Sequence, residues 1–139
     1  MKKSKIIFLI LALIILITLS VALSFYVKNL RPEETDDETT VIVIFDYGSL
    51  KNPNYEEHNV TVHVGSSALV AFSKVADLQL TNYTFGSYVK GVNGYLEELP
   101  NYWAFYYEDP FTDGWQFSPY GISNYYLGVN SKIKLQYTG

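Results

Sequence analysis

The chain has no cysteine and only two histidines in 139 residues. Without cysteine there is neither a disulfide staple nor a lipid-modified thiol, so an exported domain would have to be held by packing alone. His58 and His63 stand five apart, without metal-motif spacing, and read as surface residues. Basic residues are also scarce: from Val41 onward five lysines stand against nine acids, and the whole chain carries a net charge of −4. That balance excludes a nucleic-acid surface, which needs clustered Lys and Arg. No G-x-S-x-G nucleophile motif and no internal repeat occurs. Nothing points to an enzyme.

What the sequence does have begins with an uncharged run. From Ile6 to Val27 only Thr18, Ser20 and Ser24 interrupt a series of aliphatic and aromatic residues. As a helix these 22 residues span about 33 Å, enough to cross a hydrocarbon core of about 30 Å. A cleaved signal peptide is the rival reading, because Ser20-Val21-Ala22 and Ala22-Leu23-Ser24 resemble cleavage sites. Signal cores, however, usually run only ~7–15 residues. The expectation is an anchor over residues 1–27 and a single-pass cell-membrane protein. Lys2, Lys3 and Lys5 before the run outweigh Lys28 and Arg31 after it. This places the N-terminus in the cytoplasm and the remainder outside the cell.

Residues 28–40, KNLRPEETDDETT, are polar, acidic and without apolar periodicity, and read as a solvated tether. A folded domain is then expected over 41–139. Val41–Phe45 is a β-branched run, and Val60, Val62 and Val64 alternate with polar residues over 59–64, so the two segments predict a hairpin. The period then changes. With Ser66 as N-cap, Ala68, Leu69, Phe72, Val75 and Ala76 form one stripe, which predicts a helix over 66–79. Strands are expected over 87–92, running into the turn dipeptide Asn93-Gly94, over 102–107 and over 132–137, with a brief extended piece at 124–127. Two strands, a helix and further strands make an α+β domain: one helix packed on a β-grasp-like mixed sheet.

Phe85-Gly86-Ser-Tyr88-Val89, Gly91-Val92-Asn93-Gly94 and Tyr102-Trp-Ala-Phe-Tyr-Tyr107 together resemble the family of unknown function numbered DUF4430. Gly121-Ile122-Ser123, Tyr125, Leu127 and Ile133–Tyr137 match its final segment. The resemblance covers about residues 41–139. That family is similar to the C-terminal domain of transcobalamin and intrinsic factor, and the resemblance implies a β-grasp-like domain that binds soluble ligands. Cobalamin is implied by it alone; the residues themselves indicate no cofactor. The chain departs from the vitamin carriers in having no room for their helical domain, in Val129-Asn130-Ser131 before the last strand, and in an enlarged loop over 108–118.

The densest chemistry lies in YWAFYYEDPFTDGW, residues 102–115. Alternation puts Trp103, Phe105 and Tyr107 on one face and Tyr102, Ala104 and Tyr106 on the other. Trp103 and Phe105 are expected against Phe72 and Leu69 of the helix. Eleven of the 25 residues over 102–126 are aromatic, more than one strand face can hide. Tyr102, Tyr106, Phe111, Trp115 and Tyr120 are therefore candidates for contact with a planar or amphipathic ligand. A second small core beneath the loop is the alternative, in a structural or protein-interaction domain meeting a cell-surface partner. Glu108, Asp109 and Asp113 lack calcium-loop spacing. Asn59-Val-Thr61 and Asn82-Tyr-Thr84 are candidate N-glycosylation acceptors.

Overall fold

In the computed structural model, residues 2–30, 35–109, 111–112 and 114–139 are described. The chain divides into two units, Met1–Pro32 and Glu33–Gly139. The first is a single helix, α1 (Lys2–Leu30). Its segment Lys2–Tyr26 is long and apolar enough to cross a membrane. Of the expected tether, residues 31–34 lie outside the described set, as does Asp113.

The second unit is α+β. A five-stranded mixed sheet has the order β2-β1-β8-β6-β7, from β1 (Glu38–Asp46), β2 (Tyr55–His63), β6 (Trp103–Asp109), β7 (Gly114–Phe117) and β8 (Lys132–Tyr137). The expected first hairpin forms, with Val41 opposite Val60. The last strand runs parallel to the first, Val43 beside Ile133 and Phe45 beside Leu135, which is the β-grasp arrangement. Helix α2 (Ala68–Val75) packs on the inner face, where the ring of Phe72 lies 5.7 Å from Phe45 and 5.8 Å from Phe105. Val41, Val43, Phe45, Ile133 and Leu135 close this core with no appreciable exposure.

Several boundaries differ from those read in the sequence. The first strand begins at Glu38, not Val41. Thr39 is buried, its hydroxyl accepts the Asn130 N–H at 3.1 Å, and the Thr35 N–H donates to the Val64 carbonyl at 2.9 Å. Pairing with a neighbouring strand thus organises a stretch whose composition is that of a tether. The helix starts after Ser67 rather than Ser66, and the Ser67 side chain makes no capping bond. It stops at Val75, because Ala76 is already extended (φ −148°, ψ 154°).

Residues 78–83, expected partly as helix, form β3 (Leu78–Tyr83) instead. With β4 (Gly86–Val92) and the two-residue β5 (Tyr95–Leu96), it builds a second, antiparallel sheet that the sequence reading did not foresee. Leu78 and Leu80 satisfy helical and strand periods alike, and the hairpin partner decides between them. Asn93 (φ 50°) and Gly94 (φ 85°) turn β4 into β5, both in the left-handed region that a two-residue hairpin requires. At 124–127 only an isolated bridge between Ser67 and Tyr126 appears. The expected loop over 108–118 is largely a hairpin, Glu108 pairing with Trp115 and Tyr106 with Phe117.

Candidate functional site

The aromatic strand β6 shows the expected alternation, but its inward residues meet different partners. Phe105 packs edge-on against Phe72, as predicted. The Trp103 ring meets aromatic partners outside the helix. It is 2% exposed, stands edge-on to Tyr47 at 5.4 Å, contacts Tyr137 at 5.5 Å, and donates its indole N–H to the Tyr95 carbonyl at 2.9 Å. Tyr107 lies against Tyr125 at 5.2 Å.

A cleft opens where β7 ends. That strand covers only the C-terminal half of β6; the Ser118 N–H then donates to the Phe105 carbonyl at 3.0 Å, and Pro119 follows. Having no N–H, proline cannot extend the ladder. Along residues 102–104 the place of a further strand is taken by β4 and the segment 117–122, which stand far enough away to leave a cleft of about 160 Å³. Its far wall is pinned by backbone contact. A Cβ on Gly121 would come within 2.8 Å of Gly86 and Ser87 backbone atoms, and the Ser87 N–H donates to Ser123 Oγ at 2.9 Å.

Aromatic rings form the rim. Phe85 is 58% exposed, Phe117 57% and Tyr120 61%, and Tyr102 borders the same opening. Tyr83 stacks on Phe85 at 5.0 Å with planes 8° apart, holding that ring at the mouth. Tyr88 lines the cleft, and its hydroxyl donates to Glu97 Oε2, outside the lining, at 2.5 Å. Burial first, and then this carboxylate, push the Tyr88 pKa well above the usual tyrosine range, so the phenol stays neutral. Among the described residues, no Asp, Glu, His or Lys lines the cleft. It can hold an apolar ring by stacking and dispersion, but it offers no general base.

The five candidate contact residues are therefore split. Tyr102 and Tyr120 come together at the cleft. Tyr106 and Trp115 lie on the outer face of the large sheet, where Lys134 Nζ sits 4.4 Å from the Trp115 ring centre and 5.2 Å from that of Tyr106. Phe117 joins the two groups, since it borders the cleft and meets Tyr106 edge-on at 5.8 Å. Phe111 stands apart, 94% exposed in the β6–β7 turn.

The sequence reading missed Phe85, with Tyr83 behind it, and Tyr88. A signal was present, because a β-turn usually carries Gly, Asn or Pro rather than two exposed aromatics around Thr84. Glu108 ion-pairs with Lys132 at 3.6 Å, and no group of three His, Cys, Asp or Glu among the described residues is placed to hold a metal. His58 approaches Glu56 at 3.5 Å, and His63 is exposed. Asn59 and Asn82 are both exposed.

No protein-family model and no curated protein matches the chain. Among solved structures it is similar to haptocorrin in complex with Cbi (TM-score 0.60, 14% identity), covering 77% of this chain and 26% of that one. The chain thus spans about a quarter of haptocorrin's length. It is also similar to a provisionally assigned metal binding protein from Ruminococcus gnavus ATCC 29149 (TM-score 0.50, 8% identity), covering 72% of this chain and 96% of that one. At these identities the likeness establishes the fold the chain shares with them: a mixed sheet carrying one packed helix.

Proposed function

We propose that the chain is a membrane-tethered extracellular binding module that takes an apolar ring, or the edge of a planar ligand, into the cleft beside β6. The observation that carries this reading is the set of exposed rings, Phe85, Tyr102, Phe117 and Tyr120, around an opening lined by no charged side chain among the described residues. Apolar surface gathered at one concavity is the usual mark of a binding site. A space of about 160 Å³ is close to the ~150 Å³ cavity known to accept benzene. A corrinoid would not fit within it and would insert only one edge or substituent. Likeness to haptocorrin in fold, and to DUF4430 in motif, supports a cobalamin-like ligand and membership of that family to this extent and no further.

The same dimensions suit one aromatic side chain of a cell-surface protein, the second reading. A screen of corrinoids, hemes and glycans against the full chain in nanodiscs separates the two. Trp103 borders the cleft and reports by fluorescence. A saturable response that Phe85→Ala removes supports the small-ligand reading. If no compound gives one, the small-ligand reading falls.

The topology belongs to the same proposal: N-terminus in the cytoplasm, tether near 28–40, domain outside the cell. Protease added to intact cells should remove the domain; survival there with digestion in lysed cells would reverse the orientation. Asn59 and Asn82 are its candidate glycan acceptors, and endoglycosidase sensitivity of chain from a glycosylating host tests them.

A further inference from the structure

The outer face beside the cleft carries a cation that the binding reading has not used. Directly paired positions put Tyr106 and Glu108 of β6, Lys132 and Lys134 of β8, and Trp115 and Phe117 of β7 on one face. Lys134 lies between the Trp115 and Tyr106 rings. Lys132 stands beside it, 5.6 Å from the Trp115 ring centre.

Other lysines are differently engaged. Lys51 pairs with Glu56, Lys74 donates to the Thr61 carbonyl, and Lys132 pairs with Glu108. Lys134 has no carboxylate at ion-pair distance among the described residues. Asp46 shares its face, but its Oδ1 accepts the Gly48 N–H at 3.0 Å and Asn54 Nδ2 at 3.4 Å. Partial burial, with Lys132 adding a like charge, lowers the Lys134 pKa from the ordinary lysine range, and Asp46 opposes the shift only in part. A desolvated cation with a cationic neighbour gains most from an incoming anion.

The distance suits a two-part ligand. Lys134 is directly opposite Tyr106, whose ring meets Phe117 at the cleft margin. One strand spacing and two residues along β6 separate it from Ala104, roughly 8–10 Å. We propose that the ligand is an amphipathic anion: a ring enters the cleft, and a carboxylate or phosphate tethered to it meets Lys134, with Lys132 in support. Trp115 and Tyr106 then hold the cation in place rather than stacking on the ligand themselves. This inference rests on the cleft being the binding site.

The test uses 4-(4-fluorophenyl)butyrate and the matching alcohol, 4-(4-fluorophenyl)butanol, which share a ring and differ in charge. Fluorine NMR follows each with the full chain in phosphatidylcholine nanodiscs, with empty nanodiscs as blank. The carboxylate should bind about tenfold tighter than the alcohol, the scale of one hydrogen bond to a charged group. Lys134→Gln should erase that preference and leave alcohol binding intact, Lys134→Arg should retain it, and Phe85→Ala should weaken both probes. Equal binding of the two by the unmodified chain, or a preference that survives Lys134→Gln, overturns the anion inference and leaves the cleft standing. If neither probe binds saturably, the cleft reading fails and this inference with it.

Discussion

The two tryptophans stand twelve residues apart in one hairpin and are treated in opposite ways. Trp103 has its indole N–H bonded, its ring enclosed by Tyr47 and Tyr137, and almost no exposure. Trp115 lies half-buried over the outer sheet face, with lysine ammonium groups near its ring. Around each is a further set of rings. In the core, Phe45, Tyr47, Phe72 and Phe105 meet tilted or edge-on at 5.7–6.4 Å. At the cleft, Phe85, Phe117 and Tyr120 face solvent. Packing accounts fully for the first set. In a chain without cysteine it is the principal source of stability. The second set leaves apolar surface in water, which folding alone would not select.

The sharpest way to break this contrast is to truncate one member of each set. Trp103→Ala should cost ~3–5 kcal/mol, the range for deleting a large enclosed aromatic, or unfold the domain. A denaturation midpoint near that of the unmodified chain would remove Trp103 from the core. Gly121→Ala should cost ~1–3 kcal/mol through overpacking, because the new methyl meets β4 backbone rather than a flexible side chain. An unchanged midpoint would mean that the far wall of the cleft yields easily. Phe85→Ala should change stability by no more than ~0.5 kcal/mol, as for surface positions, while abolishing binding. Should it melt as early as Trp103→Ala, the rim is core and the contrast collapses.

A smaller effect follows from Tyr88. Its folded pKa is raised, so its contribution to stability is complete below the unfolded tyrosine pKa of ~10 and is lost as pH rises through the folded value. Melting temperatures taken from pH 9 upward should therefore fall less steeply in Tyr88→Phe than in the unmodified chain. Parallel curves would show that the phenol ionises as readily folded as unfolded.

The core was legible in the sequence because it is periodic. Val41–Phe45, the valines of 59–64 and Ile133–Tyr137 alternate, and the helix stripe at Ala68, Leu69 and Phe72 repeats at 3.6. Alternation also placed Trp103 and Phe105 inward. It could not say which rings each would meet: Trp103, expected against the helix, has Tyr47 and Tyr137 as ring partners. The cleft was half legible. Surplus aromatics drew attention to Tyr102 and Tyr120, which border one opening, but Phe85 comes from the turn between β3 and β4 of the other sheet, 17 residues before Tyr102. Its contribution depends on Gly121 meeting β4 backbone to backbone, a tertiary contact with no local signature. Nor does local pattern reveal the separation of Tyr106 and Trp115 from the cleft. That follows from where β7 stops, at Phe117 before Pro119.

The central claim is that the exposed rings, and not the enclosed ones, contact a ligand. Aromatic carbon NMR on the full chain in nanodiscs tests it most directly, with Phe and Tyr ring resonances followed while a hit from the ligand screen is added. Saturable shifts are expected at Phe85, Tyr102, Phe117 and Tyr120, with Phe45, Phe72 and the isolated Phe111 unmoved. Shifts confined to Phe111, or none at the four rim residues while the compound binds, would contradict it.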